Sequence, residues 1–273
     1  MTLNEAIALL RAAGIDSAAH DAREIFSHFD GVDRATLLTR PDAVASKEAE
    51  AAILRRMKRE PLQYIIGEVA FCNEVYRVSP DCLIPRSDTE ILVEYAMKGI
   101  PRGERFIDLC TGSGCIAIST LCGTQDTTAV AVDISDGALR LARENAEING
   151  VCDRISFIKA DLLGENFKSP HGEYFAVLSN PPYIAGEAYA ELEPELFCEP
   201  KIALVAENGG AAFYERLVPL GLSMIKENGF LAFEIGFDQA ELLRRLAGEN
   251  NAKIEILRDY SGNDRVAVIT KGK

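Results

Sequence analysis

Residues from about 104 onward predict an α/β fold, doubly wound around a mostly parallel sheet of seven strands. Three observations carry that expectation. Short apolar runs alternate with helix-length amphipathic stretches, a glycine-rich turn follows the first run, and the last two runs are joined without room for a helix.

Ahead of this region, residues 1 to about 60 read as helices only. Thr2 and Glu5 form a capping box before Ile7, Leu9 and Leu10, with Gly14 as a stop. A second helix covers roughly 17–29. After Pro41, Ser46 caps a helix carrying Ile53, Leu54 and Met57, and Pro61 forbids its continuation. Such short amphipathic helices are expected to pack as a small bundle. The character changes at Tyr64. VAFCNEVYRVS (69–79) alternates apolar and polar residues about Asn73, which predicts a hairpin. In LIPRSDTE (83–90), Ser87 and Glu90 offer a second capping box for a helix bearing Ile91, Leu92 and Tyr95.

The seven strands are then RFIDLC (105–110), TAVAVD (128–133), RISFIK (154–159), YFAVLS (174–179), FLAFEI (230–235) and two near 253–258 and 265–270. Helices are expected from Ser135 to Asn149 and over about 211–227, the latter stopped at Gly229. The final pair, linked by DYSGNDR (259–265), predicts an antiparallel finish.

Composition limits what such a fold does. The formal net charge is −13, against a protein that binds many phosphates through a basic face. Stable nucleic-acid binding is therefore not expected. The dense basic run RRMKR (55–59) reads as a solvated helix face, or else a docking patch, and the acidic stretch Glu187–Glu199 as a solvated loop or access rim. Seven cysteines without CxxC spacing, and His20, His28 and His171 away from them, predict free thiols and no metal site. Free thiols suit a reducing cytoplasm. No signal peptide or membrane span is expected from the sequence.

Two motifs carry chemistry. In DLCTGSG (108–114) a strand runs into a turn with Gly112 and Gly114 and then a helix, so backbone N–H groups can approach a ligand closely. Asp133 ends the next strand, where a carboxylate can accept both hydroxyls of a ribose. Dinucleotide enzymes and S-adenosylmethionine enzymes share this geometry. Asp161, after the third strand, suits either an adenine amino group or an N-cap. SNPPYIAG (179–186) follows the fourth strand. Its prolines cannot donate and have a fixed φ, so the Pro181 carbonyl and the Asn180 side-chain oxygen offer two rigid acceptors for one –NH2 group, with Pro182 stiffening the corner and the Tyr183 ring offering a face for a planar amide or base. No acid–base dyad is evident, and accepting the two hydrogens of an amide nitrogen requires none.

NPPY together with DLCTGSG is similar to amino-methyltransferases that use S-adenosylmethionine. PLQYIIGEVAF (61–71), LIPRSDTE, EPKIALVA (199–206) and RDYSGNDRVAV (258–268) resemble one branch, the HemK/PrmC-type release-factor glutamine N5-methyltransferases, over residues 61 to 270. The resemblance implies a Rossmann-like class I methyltransferase domain at 86–273, a hairpin linker at 69–85 and a substrate-docking bundle at 1–68. It implies that Asn180, Pro181, Pro182 and Tyr183 take the glutamine of a Gly-Gly-Gln loop in a class 1 peptide chain release factor, with Arg86 at the substrate mouth or simply on the surface. By the same resemblance, Cys110, Thr111, Gly112, Ser113, Gly114, Asp133, Asp161, Leu162 and Asn180 border S-adenosylmethionine. The family commonly has glycine where Cys110 stands and proline where Ser87 stands. A monomer is expected. The rival expectations are methylation of adenine or guanine amino groups in DNA or RNA, a non-catalytic nucleotide sensor, and a dehydrogenase.

Overall fold

The structure is a computed structural model that describes residues 1–164, 167, 169, 170 and 172–272. It divides into two units, one formed by Met1–Glu68 with Glu193–Cys198, the other by Val69–Leu192 with Glu199 onward.

The first unit is helical: α1 (Leu3–Ala12), α2 (Ala18–Asp30), α3 (Arg34–Thr39), α4 (Lys47–Arg56) and α5 (Leu62–Ile66). Both halves of the Thr2–Glu5 capping box form at the start of α1, which turns Leu3, Ala6 and Leu10 inward. Ser46 caps α4 through the Ala49 N–H at 3.1 Å. Helices α3 and α5 are too short to show a period in the sequence. Asp33 caps α3, and Pro61, whose φ of −53° suits a helix entry, precedes α5. The basic run is a solvated face only in part, at Arg55 and Lys58, which are exposed. Arg56 is 6% exposed, with Nε on Asp21 Oδ2 at 2.7 Å and Nη1 on Glu195 Oε1 at 2.9 Å, and Arg59 Nη2 reaches Glu195 Oε2 at 2.6 Å. Glu195, from the acidic stretch expected to be solvated, neutralises Arg56 and Arg59 together with Asp21.

The second unit continues the hairpin begun at β1 (Glu68–Phe71) with β2 (Glu74–Arg77). Its other elements are α6 (Glu90–Gly99), β3 (Arg105–Leu109), α7 (Cys115–Cys122), β4 (Thr128–Asp133), α8 (Asp136–Ile148), β5 (Ile155–Lys159), β6 (Tyr174–Ser179), β7 (Ile184–Ala185), β8 (Val205–Ala206), α9 (Ala212–Met224), β9 (Ile225–Glu234), α10 (Ala240–Glu249), β10 (Ala252–Arg258) and β11 (Asp264–Lys271). The main sheet runs β10-β11-β9-β6-β3-β4-β5 and has seven strands, parallel except where β11 runs against both of its neighbours. That is the predicted α/β class with its antiparallel finish.

Both faces of the sheet are apolar because helices cover both. Phe106, Ala131, Leu178 and Ala232 pack with Leu92, Ala96, Ile118 and Leu121 of α6 and α7. The intervening Ile107, Val132, Val177 and Leu231 pack with Leu217 and Val218 of α9 and Leu243 of α10. Since successive strand residues point to opposite faces, a parallel core strand reads as an unbroken apolar run.

Two local expectations fail. Ser87 makes no cap: a single 3-10 turn, Ser87–Thr89, leads into α6, and the Glu90 carboxylate instead accepts from the Cys72 N–H at 2.9 Å. That bond holds the hairpin turn, where Cys72 has a φ of +52°. Nor does Gly229 stop a helix. The strand partner begins at Ile225, and the register shifts so that Tyr174 faces Ile225 and Ala176 faces Phe230. Gly229 sits in that irregularity, where a Cβ would lie 2.5 Å from the Phe175 carbonyl oxygen.

Candidate active site

Parallel strands in an open sheet leave their ligand site at the carboxyl ends. Here that edge carries a cavity of about 300 Å³ with Cys110, Gly112, Asp133, Leu162, Asn180 and Arg86 in its wall.

One side is built from the loop after β3. Cys110, Gly112 and Gly114 have φ of +60°, +55° and +82°. The left-handed region is free for glycine and costs a side chain roughly 1–2 kcal/mol, so Cys110 sits where glycine is the easier residue. A Cβ on Gly114 would come within 2.8 Å of Ile118 Cδ1 and 3.1 Å of Ala142 Cβ, so its absence lets α7 and α8 meet. Thr111 is buried, its hydroxyl donating to Asp108 Oδ2 at 2.6 Å and its N–H to the Val132 carbonyl at 3.0 Å. Burial pushes the Asp108 carboxyl up to about 7 despite the Thr111 bond. Ser113 is buried, and its carbonyl accepts from Asn145 Nδ2 at 2.9 Å. The same Asn145 accepts from the Arg77 N–H at 2.7 Å and so ties the loop to the hairpin.

Asp133 closes this side. Its Oδ2 accepts from the Gly112 N–H and its Oδ1 from the Ser135 N–H, each at 2.9 Å. Burial raises its pKa, and these backbone donors oppose the rise. Each oxygen keeps acceptor capacity. Leu162 is buried in the wall, and Asp161, also in the wall but exposed, closes a turn through the Leu163 N–H at 3.0 Å. Arg216 braces that turn through the carbonyls of Leu162 at 3.3 Å and Gly164 at 3.1 Å.

The other side is built from side chains. Asn180 Nδ2 donates to Thr89 Oγ1 at 3.4 Å, and Thr89 Oγ1 donates to Glu234 Oε2 at 2.5 Å. Tyr183 OH donates to Glu234 Oε1 at 3.4 Å. Burial, followed by the nearby Glu234 charge, pushes the Tyr183 hydroxyl up. Asn180 and Pro182 belong to the cavity wall; Pro181, which is buried, and Tyr183 do not. The Tyr183 carbonyl accepts from Gln239 Nε2 at 3.0 Å, and Gly210 passes so close that a Cβ would lie 2.2 Å from that oxygen. Arg86 is in the wall and paired with Glu199, whose other oxygen accepts from the Ile84 N–H at 2.9 Å. Glu199 is 4% exposed, so the acidic stretch is not solvated at this end.

Thr89, Glu234, Asn145, Gln239 and Gly210 escaped the sequence reading. The available signal was Glu234, a carboxylate closing the apolar run FLAFEI. The groove suits a nucleoside ligand: paired acceptors at Asp133 for a diol, an apolar seat at Leu162, and close backbone approach at Gly112. Among the described residues no group of His, Cys, Asp and Glu could hold a metal ion, and His171 lies outside them. No helix among them is long and apolar enough to cross a membrane.

Residues 2–67 match the PrmC N-terminal domain and residues 87–213 the Methyltransferase small domain. A release factor glutamine methyltransferase of Fusobacterium nucleatum is 35% identical over 277 residues, covering 98% of this chain and 77% of that protein. Another, from Aliivibrio fischeri, is 36% identical over 274 residues, covering 97% and 95%. The chain belongs to the release factor glutamine methyltransferase family. The fold extends further: the hMettl16 catalytic domain, solved in complex with a 3′UTR hairpin, superposes with a TM-score of 0.57 at 18% identity, covering 84% of this chain and 83% of that one. At that identity the likeness is one of fold alone. Near-full-length agreement with protein methyltransferases disfavours the nucleic-acid reading.

Proposed function

We propose that this methyltransferase transfers a methyl group from S-adenosylmethionine to the side-chain N5 of the glutamine in the Gly-Gly-Gln loop of class 1 peptide chain release factors, in the cytoplasm. The observation that carries this is that Asn180 and Asp133 line one cavity, so a nucleoside-binding edge and a carboxamide acceptor face the same space. When bound, S-adenosylmethionine supplies an electrophilic methyl group on its sulfonium. Asp133 takes the ribose hydroxyls, the 110–114 loop borders the methionine end, and Leu162 with Asp161 flanks the adenine.

An amide nitrogen is a poor nucleophile because its lone pair is delocalised into the carbonyl. Asn180 Oδ1 accepts one of its hydrogens, which stabilises the positive charge that grows on nitrogen as the N–C bond forms, while Pro181, buried behind the wall, fixes the backbone that carries Asn180. Such a bond to a charged group contributes roughly 1.5–3 kcal/mol. Holding the nitrogen in line contributes roughly 7–11 kcal/mol more. One of the two protons then leaves, to water or along this acceptor, so the product amide is neutral. Tyr183 stiffens the loop from behind through Glu234, Arg86 borders the mouth, and the helices of 1–68 dock the body of the release factor.

Incubating the enzyme with isotope-labelled S-adenosylmethionine and either a release factor or mixed nucleic acids tests this. Label in the release factor, absent when its Gly-Gly-Gln glutamine is replaced, is expected. Label in nucleic acid alone overturns the reading.

A further inference from the structure

Thr89, 2% exposed, stands between Asn180 and Glu234, and its single hydroxyl proton decides how the first of these is turned. An ionised carboxylate only accepts. With Glu234 ionised, the Thr89 proton is committed to Oε2 at 2.5 Å, and what Thr89 presents to Asn180 is a lone pair. Only the NH2 end of the carboxamide can meet it, as it does at 3.4 Å. Oδ1 is left for the cavity. We propose that Glu234, acting through Thr89, is a positioning residue that keeps the Asn180 carboxamide oxygen toward the cavity, in register for the substrate amide. This rests on the function proposed above.

Protonation reverses the sequence of donors. A neutral Glu234 can donate to Thr89, Thr89 then donates onward, and the carboxamide turns its oxygen to Thr89 and its NH2 to the cavity. There it repels an amide NH2 instead of accepting from it. Glu234 closes β9 at 2% exposure, and burial pushes its pKa up to about 7, against the opposing effects of Thr89 and Arg265 and with a smaller push from Asp88. The groups that face it come from every neighbouring element: Asp88 and Thr89 from the turn before α6, Tyr183 from the NPPY loop, and Arg265 from β11. Arg265 is itself shared with Asp259 at 3.2 Å and Asp88 at 3.4 Å, and Tyr214 of α9 donates to the Glu234 backbone carbonyl at 2.9 Å.

Three variants test the relay. Thr89→Val keeps the side-chain shape and removes the hydroxyl; at saturating cofactor its kcat is expected to fall roughly 10–100-fold, with KM for the release factor moved less, because the oxygen matters most once nitrogen is charged. Thr89→Ser restores the rate. Wild-type kcat is expected to rise with pH through about 7, and Glu234→Gln to lose that limb. Wild-type kcat in Thr89→Val, or an unchanged limb in Glu234→Gln, overturns the proposal. A readout on the wild type avoids dependence on either variant folding or on any substrate. In protein labelled with 15N-asparagine, the Asn180 side-chain NH2 signal, assigned by its loss in Asn180→Ala, should titrate with a midpoint near that of Glu234, and a flat signal overturns the relay. If the wild type methylates no release factor while this signal titrates, the functional reading fails and the relay stands.

Discussion

Around Asp133 the cavity wall is held by the backbone N–H groups of Gly112 and Ser135, whereas around Asn180 it is held by the side chains of Thr89 and Glu234. The first half is local: one strand, one turn and the end of the next strand. The second half brings together three distant stretches of chain and buries an ionisable group to do it. A diol such as the proposed ligand carries can be met by one carboxylate that backbone N–H groups hold in place, because it asks only for acceptors at a strand edge. A poor nucleophile has to be turned and held, and that takes side chains with defined proton directions.

The sharpest way to break this comparison is to remove one acceptor from the second half. Asn180→Ala is expected to lower kcat by about 100-fold or more while leaving cofactor affinity within about threefold, since an interaction made to the charged transition state is lost and a ground-state one is not. Single-turnover rates and calorimetric cofactor titration separate the two. Next comes the reverse experiment in the first half. Asp133→Ala removes acceptors for two hydroxyls and should weaken cofactor binding roughly 10–100-fold, with turnover at saturating cofactor much less affected. If each variant damages both quantities equally, the two halves are not separable.

Most of the first half was legible in the sequence. DLCTGSG and Asp133 are spaced so that any parallel strand-helix unit brings them together, and β4 and β6 have the predicted bounds. The capping residues Thr2 and Ser46 were legible for the same reason: their partners lie three residues away. Ser87 misled because Glu90, three residues on, is engaged instead by Cys72 across the hairpin. Arg56 misled because its neutralising partners, Asp21 and Glu195, lie far off along the chain. Glu234 is marked in the sequence only as a carboxylate closing FLAFEI and Thr89 by nothing, since nothing local in SDTE or FLAFEI says that they meet.

A smaller effect should appear in stability against pH. Burial raises Asp108 and Glu234 to about 7. The folded chain therefore keeps protons that the unfolded chain, with ordinary carboxyls near 4, has already released. Their contribution to stability is full below about pH 4 and is lost as pH rises to about 7. Between those limits the share of Tm that Asp108 controls should fall with rising pH, and Asp108→Asn should show the shallower fall in parallel calorimetric scans. A steeper fall in the variant contradicts the assignment. Activity and stability thus move in opposite directions across the Glu234 titration.

The smallest expected effect is at Cys110. Cys110→Gly relieves roughly 1–2 kcal/mol of left-handed strain but adds roughly 0.5–1 kcal/mol of chain entropy and gives up buried contacts, so stability should change by less than about 1 kcal/mol. Denaturant unfolding measures it, and a loss of several kcal/mol would show that the thiol packs more than it strains.

The most direct measurement is fragmentation mass spectrometry of the Gly-Gly-Gln peptide from a release factor incubated with the enzyme and heavy-methyl S-adenosylmethionine. One heavy methyl is expected on the glutamine side-chain nitrogen, and none with Asn180→Ala. A methyl on any other residue, or equal labelling by Asn180→Ala, would contradict it.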